Sequence, residues 1–274
     1  MRRGLQTFHR LARRKGEEVA QARTLTPEEP RWVACIYAVP NLPLVEVGDD
    51  IAHLIFSAAT EDRFVFRDGD VIVVAQKIVG KAEGAVVRLN DVEPSPRAQE
   101  LAQATGRDPR LCEVYVRESR EILGTKDRMV ITRHRLGFIC TNAAVDRSNI
   151  GPEAGEFALL LPRDPDASAR AIRDKLRALT GCDVAVIISD SFGKPDRDGA
   201  IGVAIGLAGI RHLEEHERYD LFGRLRDTSI NLVDELAGAA MMIMGETGER
   251  LPVVVIRGIP YTRDDSASIR KLLV

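Results

Sequence analysis

The stretch that most constrains this chain runs from Val184 to Gly209, VAVIISDSFGKPDRDGAIGVAIGLAG. Val184 to Ile188 is apolar and mostly β-branched, which suits a strand buried on both faces. It runs into Ser189-Asp190-Ser191, two hydroxyls around one carboxylate. A loop of Gly, Pro and charged residues is predicted next, and glycines then recur at 199, 202, 206 and 209. In open α/β sheets, polar groups at the carboxyl ends of buried strands are the ones that meet ligands. A plain strand and turn, with Asp190 capping a backbone group, competes with that reading.

The chain has 274 residues, 45% hydrophobic and 29% charged, enough for one large domain or two modest ones. A net charge of −2 supplies no whole-chain field for nucleic acid, and 5% aromatic content leaves little for base stacking. No apolar run reaches the roughly 18 residues of a membrane span. Neither nucleic acid nor a membrane is therefore an expected partner. Cysteines 35, 112, 140 and 182 lack any CxxC spacing and read as reduced thiols of a cytoplasmic protein. The five histidines form no HxH or HxxxH pair, so a metal here would take oxygen ligands.

Residues 1–30 read as a basic, flexible N-terminal extension ahead of a domain over 31–274. Arg2, Arg3, Arg10, Arg13, Arg14 and Lys15 all precede the first acid, Glu17. The folded part is expected near Trp32. Strands are predicted over 33–39, 71–75, 129–133, 138–141, 157–161, 184–188 and 253–256. Helices are predicted over 51–59, 96–105, from Pro109 to about Ser119, from Pro165 to Gly181, and over 231–244, with Asp, Ser or Asn at most starts. The strand at Phe157, the helix at Pro165 and the strand at Val184 form an expected strand–helix–strand unit. Glu214-Glu215-His216-Glu217-Arg218 reads as a solvated charge run. Gln76 to Gly84 follows a strand end, and its two lysines and glutamine either hold phosphate or face solvent, the solvated reading being the better fit to the spacing. It is not a P-loop, and no GxGxxG follows any strand.

Three loops are rich in oxygen: Asp146 to Asn149, Asp190-Ser191, and the one at Glu246. Gathered carboxylates repel one another and need a proton or a cation. Mg2+ or Mn2+ with phosphate oxygens and a balancing lysine would meet that need. Three unrelated surface loops are the alternative.

The segments GDVIVVAQKIVGKAEG, GFICTNAAVDRSNI, LLLPRDPDASARAIRDKL, VIISDSFGKPDRDGAIGVAIGLAGI and DELAGAAMMIMGETGERLPVVVIRG together resemble the coenzyme F420-0:L-glutamate ligases, from about Tyr37 to Gly258. The resemblance implies a mixed α/β fold of two subdomains in a homodimer. It implies a ligase that uses GTP to phosphorylate the terminal carboxylate of F420-0 and joins L-glutamate to the acyl phosphate. It implies two Mn2+ or Mg2+ sites, with K+ as a further candidate. Asp146 and Asp190 would hold one metal, Ser191 and Glu246 the other, and Asp146, Asp190 and Lys81 would be catalytic. Leu42, Pro43, Leu44, Val45, Gln76, Lys77, Lys81 and Asn149 would contact GTP. So would Met244, Gly245, Glu246, Thr247, Gly248, Glu249, Arg250 and Leu251.

This chain departs from the family pattern at four places. Ser191 stands for Thr, Glu246 for Gln, Lys194 for Arg and Asp196 for Trp. Lysine loses bidentate anion recognition, and Asp196 replaces a stacking surface with charge. Two alternatives therefore stay open. One is a related ligase acting on another carboxylated phosphometabolite; the other is a non-catalytic nucleotide-binding regulator.

Overall fold

The apolar runs of the sequence meet in one sheet. In the computed structural model, which describes residues 33–151, 155–194 and 197–273 (of 194 and 197 the backbone only), they are Val71–Ala75 (β2), Ala185–Lys194 (β8) and Val253–Arg257 (β12). The extension over 1–30, Trp32 and the Pro195–Asp196 pair lie outside the described residues. The sheet order is β1–β12–β2–β8–β9, with Cys35–Ala38 as β1 and Arg197–Ala208 as β9. β2 and β8 run parallel, and the other neighbours are antiparallel. Val71 to Val74, Val184 to Ile188 and Val253 to Val255 are at most 1% exposed. Strands covered on both faces need no polar alternation, which is why these segments read as unbroken apolar runs.

Two helices cover this sheet, Pro165–Thr180 (α5) and Leu232–Met244 (α6), and Ile51–Glu61 (α1) packs on α5. The β9 glycines permit that approach. A Cβ on Gly206 would lie 2.4 Å from the Pro165 backbone, and one on Gly202 would lie 2.5 Å from the Ala237 carbonyl oxygen. Gly202 and Gly206 thus serve packing. The segment after Ser191 is therefore no loop: β8 continues to Lys194 and pairs with the twelve-residue β9.

A second hydrophobic cluster lies under Pro96–Thr105 (α3) and Pro109–Glu118 (α4), built around Leu89, Leu101, Leu111 and Tyr115. Beside it are a two-stranded sheet of Val86–Arg88 (β3) and Phe157–Leu159 (β7) and a three-stranded sheet of Ser119–Lys126 (β4), Met129–His134 (β5) and Ile139–Thr141 (β6). β7 pairs with β3, so the expected strand–helix–strand unit is not formed within one sheet; the parallel neighbour of β8 is β2. Gln76 to Ala82, which the sequence left unassigned, is a helix (α2). The charge run at Glu214 is a strand (β10, Glu214–Tyr219) paired with Leu225–Ile230 (β11). Its sequence, Glu-Glu-His-Glu-Arg-Tyr, carries no apolar alternation to mark a strand; the pairing with β11 makes it one.

The predicted helix starts hold. Asp50, Ser95, Asp108, Asp164 and Asn231 each accept a hydrogen bond from a first-turn backbone N–H, and Gly106 and Gly181 end α3 and α5 with φ of 66° and 74°. Among the described residues there are six α-helices in a mixed α/β architecture, and no helix is long and apolar enough to cross a membrane. All four cysteines are free thiols.

Candidate functional site

Strand direction decides which loops can meet. β1, β2 and β8 point the same way and β12 runs against them, so their carboxyl ends and the start of β12 share one edge. Ala75 lies opposite Ser189 in the ladder, one residue before Gln76 on one strand and before Asp190 on the other. The Val39 and Ala75 N–H groups donate to the carbonyls of Val253 and Pro252, which brings in the loop that follows α6. Leu42 to Val45 leaves β1 at this edge, and the Gly48 N–H closes that loop onto the Ala82 carbonyl of α2.

Asp146 arrives from the other side of the molecule. Its backbone is bridged to Leu159 of β7 in both directions at 2.9 Å. The preceding turn holds Asn142, Ala143 and Ala144 at φ of 54°, 51° and 50°. Left-handed conformations at alanine cost about 1–2 kcal/mol per residue, and such strain persists where the surrounding structure enforces it. Here Ala143 is buried and the Asn142 side-chain oxygen accepts from the Val130 N–H at 3.1 Å.

Lys77, in the first turn of α2, ties the two sides together. Its Nζ is 2.7 Å from Asp146 Oδ2 and 2.7 Å from Ser148 Oγ. The Ser148 N–H and hydroxyl both donate to Asp146 Oδ1 at 2.9 Å. Burial opposes ionisation of Asp146, but Lys77 and Ser148 outweigh it and hold the carboxyl below its usual range. Asp190 behaves the opposite way. Burial first, with repulsion from Asp146 and Glu246 added, pushes its carboxyl up to about 7 against the opposing pull of the Ser191 N–H and Lys77. The Ser191 hydroxyl donates to Glu246 Oε2 at 3.1 Å. Asn149 reaches across to the Thr247 carbonyl at 2.8 Å.

Lys81 lies one turn beyond Lys77, half-buried and without a hydrogen bond or ion pair among the described residues. Burial and then the charge of Lys77 lower its pKa, against the pull of Asp146. Gln76 is 1% exposed, and neither polar atom of its amide has a partner among the described residues. Buried polar groups are nearly always paired, so an unpartnered amide at this sheet edge marks a place where an incoming group could bond.

The edge therefore gathers Asp146, Asp190, Ser191, Glu246, Lys77, Lys81, Gln76 and Asn149. The loop from Met244 to Leu251 borders it, with Glu249 turned back onto the Thr247 N–H. Leu44 is 85% exposed beside it, with no contact to the carboxylates given by any hydrogen bond. Ser148 carried no predicted site role, and its N–H bond to Asp146 Oδ1 is the side-chain-to-backbone turn that the Asp146 to Asn149 loop also allowed.

Among the described residues, no three His, Cys, Asp or Glu side chains are drawn together closely enough to hold a metal ion. Asp146 is engaged by Lys77 and Ser148, and Glu246 by Ser191. The donor set still fits a hard cation in kind. It is all oxygen, and the burial and neighbouring carboxylates that raise the Asp190 carboxyl disfavour its anion, which a cation would stabilise.

Comparison with known proteins identifies the family. A family model described as F420-0:Gamma-glutamyl ligase matches residues 40–258. A coenzyme F420:L-glutamate ligase of Methanothermobacter thermautotrophicus is 45% identical over 228 residues, 82% of this chain and 89% of that protein. Proteins of the same description from Methanopyrus kandleri and Methanocaldococcus jannaschii are each 44% identical, covering 82% and 81% of this chain and 86% and 87% of their own. A match that runs from the turn after β1 to the end of β12 and takes in the other four strands of the central sheet, at this identity, places the chain in the F420-0:gamma-glutamyl ligase family.

Proposed function

We propose that the protein is an amide-forming ligase that joins the amine of L-glutamate to the terminal carboxylate of F420-0, consuming GTP through an acyl phosphate. The observation that carries this reading is the convergence of Asp146, Asp190, Ser191 and Glu246 with two α2 lysines at one sheet edge. A carboxylate is a poor electrophile, and phosphoryl transfer from GTP gives it phosphate as a leaving group. Attack by the amine then forms the C–N bond, with a proton lost from nitrogen and inorganic phosphate released.

The residues contribute by placing charge. Lys81, half-buried and unpaired, is set to hold phosphate oxygens. Gln76 would offer its unpartnered amide, and the Met244 to Leu251 and Leu42 to Val45 loops would border the guanine nucleotide. Asp146 and Asp190 would hold one divalent cation, Ser191 and Glu246 a second, with Mn2+ or Mg2+ as the ions and K+ as a further candidate. When bound, such ions neutralise the phosphate oxygens. The same proposal takes the two hydrophobic clusters as the two subdomains and the protein as a cytoplasmic homodimer.

A second reading changes only the acceptor. Lys194, the last residue of β8, and Asp196, two positions on in the sequence, stand where the resemblance expects Arg and Trp. A different carboxylated phosphometabolite would suit that change, and a non-catalytic nucleotide binder would follow if no acceptor fits.

The test is GDP release from GTP with Mn2+, L-glutamate and F420-0, with the product mass read alongside. A product heavier by one or more glutamyl units is expected. Tight GTP binding with no product would move the search to other acceptors. Lys81→Ala should raise the GTP dissociation constant about tenfold, the scale of one charge-assisted hydrogen bond, while leaving acceptor affinity nearly unchanged. Unchanged nucleotide affinity would return Lys81 to the protein surface.

A further inference from the structure

The ion pair between Lys77 and Asp146 fills the position that the proposed function assigns to a metal. Each Asp146 oxygen has its own donors: Oδ2 has the Lys77 ammonium at 2.7 Å, and Oδ1 has the Ser148 N–H and hydroxyl. Lys77 is also held at 2.7 Å by Ser148 Oγ. Its charge acts on Asp190 as well as Asp146, so one ammonium offsets the crowding of both carboxylates. Neither partner is locked in the core, since the Lys77 and Asp146 side chains are 25% and 21% exposed. A long flexible lysine at a half-open edge can leave its partner without unfolding anything.

We infer that Lys77 is a resident counter-ion that gives up Asp146 when a divalent cation binds and then turns to the polyphosphate of the nucleotide. This rests on the proposed assignment of Asp146 to a metal. The physical reason is exclusion. An ammonium and a metal ion cannot share one carboxylate oxygen at contact distance, because like charges that close repel strongly. Binding of the cation releases a lysine that has lost its partner, and an anionic ligand nearby is the natural replacement. Metal and nucleotide therefore favour each other through Lys77, in addition to any direct contact between them. Linkage makes the coupling reciprocal: whatever the nucleotide gains from the metal, the metal gains from the nucleotide. Without nucleotide the lysine competes with the metal, so the carboxylates hold metal weakly until both ligands are present.

The experiment measures Mn2+ binding by the loss of the free Mn2+ electron paramagnetic resonance signal, without nucleotide, and GDP binding by calorimetry at saturating Mn2+. Lys77→Met keeps the aliphatic stem and removes the competitor. It should bind Mn2+ about fivefold more tightly than wild type, the scale of a partly exposed ion pair, and GDP more weakly. Lys81→Met is the comparison, because it removes a nearby charge that does not touch Asp146. An equal gain in Mn2+ affinity in both variants would mean a general charge effect and overturn the exchange. Unchanged or weaker Mn2+ binding in Lys77→Met would also overturn it, while the metal assignment survives if Asp146→Asn abolishes Mn2+ binding. Mn2+ binding that is unaffected by Asp146→Asn would overturn both the exchange and the assignment it rests on.

Discussion

The central sheet and the β10–β11 ribbon are both antiparallel along at least one edge, yet they are held by different forces. In the sheet, Ile72, Val73, Ile187 and Val254 are fully buried, and their register is set by what each face must hide. In the ribbon, Tyr219, Leu221 and Phe222 are 70%, 91% and 87% exposed, so burial sets almost nothing. Its register comes from the turn. Asp220 Oδ1 accepts from the Phe222 and Arg224 N–H groups at 2.9 Å, and six ladder pairs follow from Glu214–Ile230 to Tyr219–Leu225. At its base, Glu214 is anchored by the Thr262 N–H and hydroxyl at 2.6 and 2.7 Å. Isolated two-stranded ribbons are marginal in water. The sheet is rigid enough to place Asp190, whereas the ribbon keeps its shape from backbone pairing and one anchored end.

The largest effect should come from breaking the sheet. Gly206→Ala drives a methyl group into the Pro165 backbone and must separate α5 from β9. A loss of about 3 kcal/mol or more is expected in denaturant unfolding, at the upper end for overpacking. A loss below about 1 kcal/mol would show that the two elements shift apart freely.

Next is the exposed end of the same strand. Asp190→Asn should abolish most Mn2+-dependent GTP turnover while stabilising the metal-free protein at neutral pH. The sign follows from the carboxyl, whose folded pKa of about 7 lies above its unfolded value of about 3.9. Its contribution is fully present below the unfolded value and is lost as pH rises through the folded one. Melting temperatures in chelator should therefore favour Asp190→Asn increasingly from about pH 4 to about pH 7 and level off above. A difference that does not change with pH would show that Asp190 is not held against ionisation.

The smallest effect is expected in the ribbon. Replacing Leu221 and Phe222 together by Ser should leave unfolding stability within about 0.5 kcal/mol, as for exposed positions. Light scattering should be read on the same samples. A clear loss of stability or a fall in molecular mass would mean that these side chains are covered in solution, and the contrast with the sheet would narrow.

What the sequence could report was whatever local chemistry decides. The caps at Asp50, Ser95, Asp108 and Asp164 mark helix starts because a side-chain oxygen bonds an N–H within the same turn. The strands at Val71, Val184 and Val253 are legible because burial on both faces leaves no polar residue among them. Asp146, Asp190 and Glu246 stood out as polar residues at the ends of such runs. The rest required the tertiary structure. Gln76 to Ala82 forms a helix although it begins with polar residues, because β2 delivers it to the sheet edge and Gly80 packs under the Leu160 carbonyl. The recurring glycines of β9 carried no local explanation, and Gly202 and Gly206 answer to the two helices that press on them. The pairing of β8 with β2, and the meeting of Lys77 with Asp146 across 69 positions of chain (146 − 77), come from strand order and packing. Contacts between distant segments depend on which surfaces must be buried together, and no local pattern carries that information.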